Sequence, residues 1–193
     1  MTTPEPDPVR LTSRQIRILA HPLRVRLLGA LREAGSATAT RLAELLDTNT
    51  GATSYHLRQL AEVGLVVEDP DRAVGRQRWW RAAHEYSSWQ ATAYDDDPDA
   101  RAAAEWMQGE QLRILAERAD GWRAVQAGYD QTWRDAAGIS DALLRISPQR
   151  LDALHAELWA VLERYRAETP SDEPDALPVA YFLAAFPKVG VRR

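Results

Sequence analysis

Two short apolar stripes separated by a run of turn-forming residues set the tightest limit on how this chain can fold. Leu42, Leu45 and Leu46 recur at helical spacing over about 39–46. Thr53, Leu57, Leu60 and Ala61 do so over about 50–63, where Gly64 stops the pattern. Between them Asp47-Thr48-Asn49-Thr50-Gly51 is rich in turn and N-cap residues. Helices this short and this close cannot bury their apolar faces against each other alone. The flanking segments must close a core around them.

Those flanks have the right pattern. A short helix is expected from Thr12, with Ile16, Leu19 and Leu23 on one face, and Pro22 suits the first turn of a second helix. In that second helix Val25, Leu27, Leu28 and Leu31 form a stripe ended by Gly35, and Ser36–Thr38 is a short extended piece. After Gly64, Leu65–Glu68 reads as a strand, Asp69-Pro70-Asp71 and Gly75 as a hairpin loop, and Gln77–Arg81 as the return strand. Helix, turn and helix followed by a charged hairpin is a winged helix-turn-helix, in which one helix stands proud enough to enter a major groove.

Three strings make this specific: His21-Pro22-Leu23-Arg24-Val25-Arg26-Leu27-Leu28, then Leu42-Ala43-Glu44-Leu45-Leu46, then Ser54-Tyr55-His56-Leu57-Arg58-Gln59-Leu60-Ala61-Glu62-Val63-Gly64-Leu65-Val66. Over about 11–84 the chain resembles the ArsR-like winged helix-turn-helix regulators. The resemblance implies a homodimeric transcription regulator that binds double-stranded DNA, usually a repressor released by a small-molecule effector. Metal-sensing members of that family carry cysteine-rich sites before the recognition helix. This chain has no cysteine, which excludes a thiolate sensor, disulfides and cysteine nucleophiles.

A helical wheel sorts the second helix of the pair. Thr53, Leu57, Leu60 and Ala61 face the core, Tyr55 lies almost opposite, and Gly51, Ala52, Arg58, Gln59 and Glu62 also point outward. Ser54 and His56 fall on the flanks, and His56 reads as a half-buried structural histidine. The N-terminal turns of a recognition helix meet base edges. The candidate DNA-binding residues are therefore Thr50, Ser54, Tyr55 and Arg58, with Thr48 and Asn49 near the sugar-phosphate backbone. On the hairpin, Arg72, Arg76 and Arg78 can reach phosphates or a minor groove. Charge agrees with this placement. Residues 1–84 carry 12 Arg against 9 acids, whereas 85–193 carry 12 basic residues against 19 acids. A basic half on a chain of net charge −4 is a local nucleic-acid footprint.

The expected architecture is mainly α with a small β component (α+β). Residues 1–9 form a disordered leader, 10–84 the winged helix-turn-helix, and 85–193 a helical or α+β dimerisation and effector domain. In the last, Asp95-Asp96-Asp97-Pro98-Asp99 reads as a helix start rather than a metal cluster. The helix it opens spans about 98–119, and a less regular one runs from Trp122 to Ala136. Ser147-Pro148 caps a helix over 148–167 with Leu151, Leu154, Leu158, Val161, Leu162 and Tyr165 at helical spacing. Ala142–Ile146 and Val179–Phe186 read as strands flanking it. Five of the seven Trp lie in this half, which favours core and dimer interface. No phosphate loop, nucleophile elbow or metal motif is present, so no catalytic residues, cofactor or metal are expected. No signal-like or membrane-spanning run occurs, and a cytoplasmic protein is expected. The alternative is a winged-helix protein-interaction module without DNA affinity.

Overall fold

The computed structural model describes residues 9–72, 77–168 and 175–188. They divide into two compact units that meet in sequence after Ala116.

The first unit begins with β1 (Val9–Arg10), α1 (Ser13–Leu19), α2 (Pro22–Ala34), β2 (Ser36–Thr38), α3 (Ala39–Leu45) and α4 (Thr50–Glu62). It continues through β3 (Val66–Glu68), β4 (Trp79–Ala82), β5 (Ser87–Ser88) and the first turns of α5 (Pro98–Val125). Each helix starts where a side chain can accept an orphan backbone N–H. Thr12 and Gln15 form a reciprocal capping box on α1. His21 Nδ1 accepts from the Leu23 amide at 3.2 Å at the head of α2. Thr38 Oγ1 accepts from the Arg41 amide on α3. Two glycines take the left-handed backbone that ends a helix, Gly35 at φ 76° and Gly64 at φ 71°.

β2, β4 and β3 form an antiparallel sheet in that order, with Ala37 opposite Trp80 and Val67 opposite Arg81. The return strand starts two residues later than the sequence pattern suggested. Trp80 is buried and sets the register, while Gln77 and Arg78 are exposed before it. Ile16, Leu27, Leu31, Leu42, Leu57, Leu60, Leu65 and Val66 are fully buried at the centre. The same cluster takes in Tyr94, Ala100, Ala104 and Met107, so the core continues past His84 into α5. Tyr94 Oη donates to the Leu11 carbonyl at 2.5 Å, tying this stretch to the start of the unit. The acidic run is a helix cap: Asp97 Oδ1 accepts from the Ala100 amide at 3.0 Å, and Asp97 also pairs with Arg17 at 3.3 Å.

In the second unit α5 runs on to Val125, past the expected end near 119. The helix expected over 122–136 is accordingly replaced by the end of α5, a tight turn at Gln126–Gly128 and α6 (Gln131–Ala136), which Asp130 caps through the Trp133 amide at 2.9 Å. α7 (Pro148–Glu168) starts at Ser147, whose Oγ accepts from the Arg150 amide. Leu151, Leu154, Leu158 and Leu162 are half-buried, as their spacing implies, but Val161 and Tyr165 of the same expected stripe are exposed, and His155 and Glu163 are half-buried instead. The strands expected at 142–146 and 179–186 are absent, and both segments are irregular. A strand exists only by pairing, and neither segment pairs with a strand among the described residues. The unit is helical rather than α+β.

Candidate nucleic-acid interface

α3 and α4 are joined by the turn Leu46–Asn49, in which Asp47 takes φ 50° and the Thr48 amide donates to the Ala43 carbonyl at 2.9 Å. Asp is one of the few residues to tolerate that left-handed conformation. Asn49 Oδ1 then accepts from the Ala52 amide at 2.8 Å and starts α4. A Cβ on Gly51 would come within 3.3 Å of that same oxygen, so the cap favours glycine two residues on. Asn49 is thus the N-cap of α4.

α4 is oriented by its inward face. Thr53, Leu57 and Leu60 are buried, and Thr53 Oγ1 donates to the Asn49 carbonyl at 3.1 Å. That places Thr50, Tyr55 and Arg58 in solvent, with Ser54 half-buried between them. Tyr55 is 53% exposed despite its size. Arg58 Nε donates to the Ser54 carbonyl at 3.1 Å, which draws the guanidinium back along the N-terminal half of the helix. Thr48 is half-buried in the turn. Of the three wing arginines, Arg72 is exposed in a single turn of 3-10 helix and Arg78 is exposed beside Glu68, 3.3 Å away. That pair is largely solvent-facing, so it contributes little to stability and is easily exchanged for a phosphate. Arg76 lies outside the described residues.

Beneath Tyr55 the structure adds residues that the sequence pattern set aside. The His56 ring meets the Tyr55 ring edge-on at 5.1 Å and the His21 ring at 4.5 Å between centroids. His56 is half-buried, as expected, but its Nδ1 is buried without a hydrogen-bond partner. Burial pushes both histidines below their ordinary 6.5, and positive charge adds to this, from His21 and Arg24 on His56 and from Arg24 on His21. The proximity of residues 21 and 56 depends on how α2 crosses α4, which no local spacing reveals.

Residues 19–69 match the family model of a helix-turn-helix domain. Within the first unit, α3, α4 and the paired strands β3 and β4 thus make a winged helix-turn-helix. In a helix-turn-helix the second helix of the pair is the one able to enter a major groove, and in this chain that position is held by α4. Among solved structures, the chain is similar to a protein described as a possible transcriptional regulator for arsenical resistance. Identity there is 28%, over 66% of this chain and 98% of that one, with a TM-score of 0.32. ZitR of Lactococcus lactis in complex with DNA matches at 19% identity over 86% of this chain and 82% of its own, TM-score 0.26. The adhesin competence repressor AdcR of Streptococcus pyogenes matches at 16%, over 82% and 84%, TM-score 0.27. A comparison with curated proteins gives no match. No helix among the described residues is long and apolar enough to cross a membrane.

Proposed function

We propose that the chain is a sequence-specific, duplex-DNA-binding transcriptional regulator that reads a major groove with α4 and braces on the flanking backbone with its wing. One observation carries this most directly. α4 is fixed by Thr53, Leu57 and Leu60 and holds Thr50, Tyr55 and Arg58 outward from its first two and a half turns. Arg58 suits guanine or phosphate, Ser54 and Thr50 either base class, and Asn49, Thr48, Arg72, Arg76 and Arg78 the backbone.

The same proposal includes a homodimer acting as a repressor. One recognition helix covers too little DNA for specificity, and a two-fold pair spaces two of them about 34–36 Å apart. The second unit is where the partner copy belongs. From Gln111 onward no described residue is buried, and Ile139 and Leu143 are more than 80% exposed. Release by a small-molecule effector rests on the family resemblance.

A mobility shift of the full chain on DNA from its own upstream region tests the proposal. Binding that competes out with specific but not mixed-sequence duplex is expected. Absence of any shift at low salt, where nonspecific binding alone gives one, leaves the protein-interaction module standing.

A further inference from the structure

α2 carries three arginines, Arg24, Arg26 and Arg32. Two are occupied: Arg26 Nη2 donates to the Leu46 carbonyl at 2.9 Å, and Arg32 donates to the His84 carbonyl and to Ser87 Oγ. Arg24 is half-buried, its Nε is closed off from solvent without a partner, and nothing among the described residues pairs with it. It follows His21 by three residues, one turn along α2 and so on the same side of the helix; the His21 ring lies 4.5 Å from the His56 ring, and the Arg24 charge lowers the pKa of both histidines. Two unpartnered buried nitrogens, His56 Nδ1 and Arg24 Nε, thus occur in one cluster. Among the described residues the groups acting on the histidines are Arg24 from α2, the facing ring of each pair member, and, on His56, the Tyr55 ring from α4; no carboxylate is among them.

A group of basic side chains with unmet hydrogen-bonding capacity and no anion to balance it is costly to bury. The two nitrogens themselves are closed to an anion, but His21, Arg24 and His56 are each only half-buried, so an anion meeting their exposed parts offsets the uncompensated charge. We propose that Arg24, His21 and His56 form a backbone-phosphate subsite of the DNA interface, adjoining Tyr55, so that the strand whose bases meet α4 is held by α2 as well. This rests on the proposed DNA reading and adds residues from a different helix to it. Filling the subsite also moves protons. The free histidines are held neutral by burial and by Arg24, and a phosphate offsets that charge and favours the imidazolium. Binding therefore takes up protons, and affinity rises as pH falls toward and below 6.5.

The full chain is titrated onto a labelled mixed-sequence duplex across salt and pH, with Arg24→Gln, Arg24→Lys and His56→Gln alongside. Arg24→Gln should lower the slope of log affinity against log salt by about one, and Arg24→Lys should restore it. Between about pH 7.5 and 5.5 wild-type affinity should rise, by at most about tenfold per unit for each proton taken up, and His56→Gln should flatten that rise. An Arg24→Gln protein that binds with the wild-type slope overturns the subsite, whether or not its melting temperature falls. A second arm reads the subsite without DNA: inorganic phosphate should raise the titration midpoints of the two imidazoles followed by NMR. Phosphate-induced shifts in a chain that binds no duplex would sink the DNA reading and keep an anion site. Unmoved imidazoles in a chain that does bind would sink the subsite and keep the DNA reading.

Discussion

Replacing Tyr55 and Leu57 separately by alanine dissects α4, because the two side chains sit two residues apart and face opposite ways. Leu57 is completely buried in the core that joins α4 to α2 and the sheet. Truncating a fully buried leucine costs about 2–5 kcal/mol, the spread depending on how far the cavity collapses. At roughly 3–4 °C per kcal/mol for a unit of this size, the melting temperature should fall by about ten degrees. Tyr55 is 53% exposed and its main intramolecular partner is the His56 ring, met edge-on at 5.1 Å. Losing that contact costs at most about 1 kcal/mol. Tyr55→Ala should thus melt within a few degrees of wild type yet bind its operator about five- to thirtyfold more weakly, as a lost interface aromatic costs on the order of 1–2 kcal/mol. Leu57→Ala, assayed below its lowered transition, should keep most of its affinity. Circular-dichroism melts and fluorescence anisotropy on one operator duplex decide it. Equal melting losses would show that Tyr55 is a core residue and that the face of α4 is wrongly assigned.

Four further outcomes are expected. Asn49→Ala should cost about 1 kcal/mol through the lost α4 cap, whereas Asn49→Asp should keep the cap and weaken DNA binding by placing a carboxylate at the interface; equal affinities for Asn and Asp would refute the placement. Arg78→Ala should leave stability within about 1 kcal/mol of wild type, since its pair with Glu68 is exposed, and should lower the salt slope by about one. Residues 1–116 alone should sediment as a monomer and bind DNA more weakly than the dimeric full chain; a monomeric full chain refutes the dimer. Stability should fall as pH drops below 6.5, because both histidines have folded-state pKa values below that of the unfolded chain, so protons favour unfolding; melts at neutral and acid pH measure this, and His56→Gln should reduce the effect.

The last of these runs opposite to the proton dependence expected of DNA binding, and both come from one pair of rings. Free protein loses stability to the same protons that strengthen its complex. The sequence could not show this, because residues 21 and 56 are 35 positions apart and meet only through the crossing of α2 over α4. What local pattern could show, it showed well. Pro22, Gly35, Asn49 and Gly64 mark helix ends by their own backbone chemistry, and the spacing of Thr53, Leu57 and Leu60 alone turns Tyr55 outward. The pattern failed where structure depends on a partner. Ala142–Ile146 and Val179–Phe186 have the apolar, β-branched and aromatic content of strands, but such content only favours a strand once another edge supplies its hydrogen bonds. In a single chain those segments stay irregular and expose Leu143, Val179 and Phe186. Among the described residues every fully buried side chain lies in the first unit, so the proposed homodimer is expected to cover the apolar surface that the second unit leaves exposed.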